Sequence, residues 1–189
     1  MPAGRLEEIK HNKIRRMCCE REVFMAESRK YGRYTDYFYE VEPRDDQLGD
    51  WVAAPYAFFH GETDIPGSNY HVGFQVIKKP VALKTEPHFH KEEQYHVFTG
   101  SKIPNVFDFD AEIEFYMGDD PDNMEKIIIT KPTIIRVPKG VWHCPLSFNK
   151  VEKPVFFQAP VMSGIYGAVK KRLDKDGKAC YIYEGAGLN

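Results

Sequence analysis

Nothing in this sequence is apolar for long enough to cross a membrane as a helix. No stretch approaches the roughly 18–20 apolar residues that a span requires. The first residues, MPAGRLEEIKHNKIRR, lack the apolar run of a secretory signal. The four cysteines, Cys18, Cys19, Cys144 and Cys180, form no CxxC pair, and adjacent Cys18 and Cys19 do not suggest a disulfide scaffold. A reducing cytoplasm is therefore the expected location. A formal net charge of −2 gives no basis for nucleic acid or an anionic membrane as partner. There are no low-complexity segments and no internal repeats.

Aromatic residues are plentiful at 14%, chiefly Tyr and Phe, which suits a β-protein or an apolar pocket. Helical composition is confined to residues 5–29, free of Gly and Pro. There Leu6, Ile9, Ile14, Met17, Cys18, Phe24 and Met25 form an imperfect stripe, predicting one or two amphipathic helices. Residues 31–69 are aromatic and interrupted by turns, and are expected to add strands or to cover an opening. From residue 70 onward short β-rich runs follow one another: YHVGFQVI, VALKTEPHFH, QYHVF, AEIEFYM, EKIIIT, TIIRVP, WHCPLSF and KPVFFQAPV. Turn residues part them, and no helix intervenes, which reads as an all-β sandwich or barrel. The organisation expected is an N-terminal extension over 1–69 within the same domain, a barrel over 70–165, and an edge hairpin or tail over 166–189. In the last, a DG turn separates a charged run from YIY.

Two stretches carry the chemistry. In Pro87-His88-Phe89-His90, the histidines are two residues apart, so on a strand both imidazoles leave the same face. In Val137-Pro138-Lys139-Gly140-Val141-Trp142-His143, a Pro-x-Gly turn enters a strand and fixes where the His143 ring points. A third imidazole from a second strand would complete a facial set for a transition metal.

Together these stretches resemble the two signature motifs of the cupin superfamily, over roughly residues 70–160. His88, His90 and Gly100 match the first motif, HxH followed by a glutamate and a closing glycine. Pro138, Gly140 and His143 match the second, PxGxxH. The resemblance implies a double-stranded β-helix, the cupin jelly-roll barrel, with one divalent metal ion held inside. The sequence departs from the pattern in places. The stretch from HxH to Gly100 is one residue short, Ser147 replaces the usual asparagine, and Pro132 stands where a glycine is expected. The glutamate position falls on Gln94 when counted forward from His90, and on Glu93 when counted back from Gly100. The metal ligands implied are His88, His90, His143 and Gln94, with Glu93 as the alternative fourth ligand.

Three imidazoles and an oxygen suit Fe, Mn, Ni, Co or Zn without choosing among them. A neutral amide ligand leaves the full charge of the dication and makes it the stronger Lewis acid. Tyr95 and His96 are candidates for the surroundings of the ligands, and His60 and His71 for proton transfer. By alternation Cys144 points away from the metal. Lys84, Glu114 and Arg136 lie on strands, and one that faces inward could pair with an acidic substrate. The function expected is a metal-dependent enzyme acting on a small oxygen-rich or aromatic molecule through an enolate-like anion, as a dioxygenase or as an isomerase or lyase. The alternative is a non-catalytic cupin module that binds a metal and a small ligand. The sheet edges and the long extension predict a homodimer.

Overall fold

Strand alternation in the sequence carries directly into the backbone. The structure, a computed structural model, describes residues 32–46, 48–84 and 86–185. The helical stripe over 5–29 lies outside the described residues. The chain divides into two units between Glu40 and Val41. The described part of the first contains a 3-10 helix, Gly32–Tyr37.

The second unit is built almost wholly of strands: β1 (Val52–Phe59), β2 (Val72–Ile77), β3 (Val81–Lys84), β4 (His88–Phe89), β5 (Gln94–Gly100) and β6 (Ala111–Gly118), then β7 (Glu125–Ile129), β8 (Thr133–Val137), β9 (Trp142–Val151), β10 (Val155–Gln158), β11 (Gly167–Leu173) and β12 (Ala179–Gly185). They make two antiparallel sheets. One runs β1-β2-β10-β5-β8; the other runs β12-β11-β4-β9-β6-β7, with β3 also on β9. The fold is all-β and is consistent with a cupin jelly roll. Among the described residues no helix is long and apolar enough to cross a membrane.

Two segments outside the central run are members of these sheets. Residues 52–59 of the extension form β1 and pair with β2. Residues 167–173 form β11, which pairs on one side with β12 and on the other with β4, the strand that carries His88. Only β12 of that pair is at the sheet edge.

Between the sheets lie Ile77, Phe98, Ile113, Phe115, Val137, Leu146, Phe148, Val155 and Phe157, all buried. β5 shows how the side chains are sorted. Gln94, His96, Phe98 and Gly100 face inward, while Tyr95, Val97 and Thr99 are only partly covered. The inward set is pinned at both ends. Phe98 stacks on Phe157 at 5.2 Å between ring centroids and meets Phe148 edge-on at 6.0 Å. At Gly100 a Cβ would come within 2.4 Å of the Asp108 carbonyl oxygen, so only glycine fits.

Phe98 is fully buried, so its loss leaves a cavity as well as forfeiting transfer energy. Phe98→Ala is expected to lower the unfolding free energy by about 3–5 kcal/mol, measured by urea denaturation.

Candidate metal centre

Three histidines from the two motifs meet. His88, on β4, pairs directly with His143, on β9. His90 follows two residues after His88, on the same face. Their ring centroids lie 4.4 Å (His88–His143), 5.2 Å (His88–His90) and 5.2 Å (His90–His143) apart. One ring nitrogen of each lies within 4.8 Å of the other two, and all three side chains are buried. The turn of the second motif also ties the motifs together. Gly140 takes φ = +78°, and its N–H donates to the His90 carbonyl at 2.9 Å.

The hydrogen bonds select the tautomer. Nδ1 of His88 lies 3.0 Å from the Glu86 carbonyl, Nδ1 of His90 2.7 Å from that of Gly167, and Nδ1 of His143 3.2 Å from that of Val141. A carbonyl can only accept, so each Nδ1 must carry the proton. Each Nε2 then presents a lone pair. Nε2 of His90 and of His143 is buried with no partner, a costly state unless something occupies the centre. Three converging imidazole lone pairs fit a divalent transition metal.

Gln94 is buried on β5 in the facing sheet. Its amide nitrogen makes a long contact of 3.5 Å to the Ala159 carbonyl, and its Oε1 has no partner. Glu93 is placed otherwise. Its carboxylate takes an ion pair from Arg136 and a 3.3 Å hydrogen bond from the Tyr95 hydroxyl. Alternation sends Glu93 and Tyr95 to the opposite face from Gln94, so the alternative ligand Glu93 and the neighbour Tyr95 stand apart from the three histidines. His96 faces inward, its ring 5.8 Å from that of His143 and 4.9 Å from that of Phe115.

Cys144 departs from the expected alternation. The β6–β9 register slips between Phe115↔Leu146 and Met117↔His143. This bulge gives β9 one residue more than β6 and switches the inward parity. Cys144 takes φ = +70° and lines the cavity beside the histidines. It is not in the three-histidine cluster. Burial pushes its thiol up to about 12.

Next to the cluster lies a cavity of about 680 Å³. Its lining includes His88, Gln94 and His96 among polar side chains and Tyr56, Phe58, Leu146 and Phe157 among aromatic and apolar ones. His71 and Tyr166 line it as well. Of the three charged strand residues, only Lys84 reaches the cavity; Glu114 pairs with Lys126, and Arg136 with Glu93. Among the described residues Lys84 has no ion-pair partner within 4.0 Å. Tyr166 was not legible as a site residue. It follows a turn, belongs to no motif, and yet its ring lies 5.4 Å from that of His90. Tyr56 and Phe58 come from the extension and were missed likewise.

Burial keeps these histidines neutral. Desolvation is the largest cause at His88, lowered to about 4, and at His96, lowered to about 3; it also holds His143 well below the ordinary range. Unfolded histidines titrate near 6.5. Between that value and about 4, the unfolded chain therefore binds more protons than the fold. Metal-free protein should lose stability as pH falls from 7 to 5, by up to about 1.4 kcal/mol per unit for each such group below pH 6.5. Urea denaturation of metal-free protein at the two pH values checks this.

No protein-family model matches the chain, and no curated protein matches it. Among solved structures, an oxalate oxidase in complex with the substrate analogue glycolate is 12% identical, with a TM-score of 0.47 over 71% of this chain and 63% of that one. A Bacillus subtilis oxalate decarboxylase is 13% identical, with a TM-score of 0.43 over 66% of this chain and 28% of that one. The chain thus spans less than two thirds of either protein. Likenesses this distant carry nothing about what this chain binds or does. In the chain itself, a fold of two antiparallel sheets brings the HxH and PxGxxH stretches to one buried point.

Proposed function

We propose that this protein is a metal-dependent cupin enzyme acting on a small oxygen-rich or aromatic molecule. One observation carries the reading. Three Nε2 lone pairs, each made available by an Nδ1–H committed to a backbone carbonyl and two of them (His90 and His143) buried without a partner, converge beside a cavity of about 680 Å³. His88, His90 and His143 would hold a divalent ion, with the partnerless Oε1 of Gln94 as a fourth donor. When bound, the ion supplies Lewis acidity, undiminished by any carboxylate among these donors.

The chain's own residues define what else happens there. Tyr56, Phe58 and Phe157 give the cavity aromatic faces that suit the flat face of an aromatic or enolised ligand. Lys84 offers an unpaired cation for an acidic group on that ligand. An enolate-like anion formed in this cavity can follow two courses. Reaction with dioxygen makes the protein a dioxygenase; return of the proton elsewhere makes it an isomerase or lyase.

Protein purified without a chelating tag should carry about one equivalent of a divalent metal by elemental analysis. His143→Ala should abolish retention. Gln94→Ala should weaken affinity about ten- to a hundredfold, and Glu93→Ala should leave it unchanged. Fe(II), Mn(II) or Ni(II) added to metal-free protein should give turnover with at least one of a panel of diketones, catechols and keto-sugars. Stoichiometric metal without turnover of any of these would favour a non-catalytic binding module instead.

For acidic members of the panel, Lys84→Ala should weaken binding about fivefold, measured by calorimetry, and neutral analogues should be unaffected. An exposed ion pair of this kind contributes ~1 kcal/mol.

A further inference from the structure

A second group of ionisable side chains lies on the cavity away from the metal ligands. His71 precedes β2 and is bridged to Val161: each backbone N–H donates to the other's carbonyl at 3.0 Å. Val161 is bridged in turn to Gln94. Cross-strand neighbours project to the same face, so His71, Val161 and Gln94 form one inward row, and all three are buried. With strands about 4.8 Å apart, His71 stands roughly 10 Å from Gln94 along that row. Both ends of the row line the cavity.

His71 has no hydrogen-bond partner at Nδ1, although that atom is buried and the side chain lines the cavity. Its ring lies 5.3 Å from that of Tyr166 and 5.4 Å from that of His60. Behind His60 is Asp64. One carboxylate oxygen, Oδ2, accepts the His60 backbone N–H at 2.6 Å and lies 3.5 Å from the His60 ring Nδ1. His60 and Asp64 are partly exposed, His71 is not. A line of groups therefore runs from the cavity interior toward solvent. Desolvation, and to a lesser extent His60, lower the basicity of His71, while Asp64 partly offsets them, so a neutral imidazole faces the cavity.

We propose that His71 is the proton-transfer residue of this cavity, with His60 and Asp64 as positioning residues behind it. The proposal rests on the metal-dependent reading above and names the base which that reading lacks. In the step, a C–H bond beside a ligand carbonyl breaks and an N–H bond forms on His71. The electron pair delocalises onto the ligand oxygens. The proton, or a solvent deuteron exchanged onto His71, then returns to the same or the adjacent carbon, so no oxidant or reductant is consumed.

The probe is hydroxyacetone, whose adjacent carbonyl and hydroxyl oxygens can chelate and whose α-protons exchange slowly in water. With one equivalent of zinc bound, wild-type protein in D2O should accelerate deuterium incorporation, read by mass spectrometry. His71→Ala and the hydrogen-bonding variant His71→Asn should each lose at least about a hundredfold of that rate, and added imidazole should restore part of it to His71→Ala. Asp64→Asn should lose about tenfold. Zinc content and hydroxyacetone affinity by calorimetry should stay as in wild type. In metal-free protein, nitrogen-15 imidazole spectra should show His71 neutral at pH 7. Asp64→Asn should move the His60 and His71 signals, while those of His88, His90 and His143 stay in place. Exchange unaltered in both His71 variants, or absent from zinc-loaded wild type, would overturn the proposal. Failure of wild type to hold zinc would instead overturn the reading beneath it, and metal analysis shows that separately.

Discussion

Three backbone carbonyls decide what this cavity can do. Those of Glu86, Gly167 and Val141 each engage an Nδ1 of the histidine set. Without them each ring would be free to rotate or to exchange tautomers, and the lone pairs would not be directed at one point. Two of the carbonyls are local, each two residues before its histidine along the chain. The third comes from the start of β11, 77 residues away. This explains why β11 must pair with β4. The hydrogen bond to His90 ties the C-terminal part of the chain to the first motif, and the ladder Val169↔Phe89 and Lys170↔His88 holds it in register.

The residues around the three-histidine cluster come from both sheets. His88 and His143 belong to the β4–β9 sheet, whereas Gln94 and His96 belong to β5 in the other. The centre is therefore assembled by the same packing that buries Phe98, Phe115, Phe148 and Phe157. His96 lies at the seam, touching the core through Phe115 and Phe157 and the metal centre through His143. Core and site form one continuous stack of rings, so a change in sheet spacing would alter donor geometry as well as stability.

How much of this was legible depended on whether a local rule governed the residue. His88 and His90 could be paired because strands repeat every two residues. His143 could be added because a glycine at positive φ marks where its strand begins. The choice between Gln94 and Glu93 had no such rule. Both alternation sets on β5 contain apolar residues, and the set with Tyr95 and Val97 is the more apolar. The structure sides with the other because Gly100, in register with Phe98, His96 and Gln94, packs against the Asp108 carbonyl where no side chain fits. Alternation failed at Cys144 because a bulge on β9 breaks the period, and the sequence carries no mark of it beyond Pro145. Tyr56, Phe58 and Tyr166 reach the cavity through tertiary placement alone.

That Gln94 rather than Glu93 faces the cavity has an electrostatic consequence for any ion held there. The cavity lining contains one carboxylate, Asp46, and the Arg44 guanidinium engages it at 2.9 Å. Lys84 is left unbalanced, and the histidines are held neutral by burial. A dication held by these donors would therefore meet no compensating protein charge in the cavity. Placing uncompensated positive charge in a largely desolvated site is unfavourable, and the deficit is met most simply by an anionic ligand or by a ligand that becomes anionic on losing a proton. Glu93, had it faced inward, would have neutralised part of that charge in advance. Held outside by Arg136, it would leave the charge of a bound ion for the ligand to balance, which would favour ionisation of that ligand.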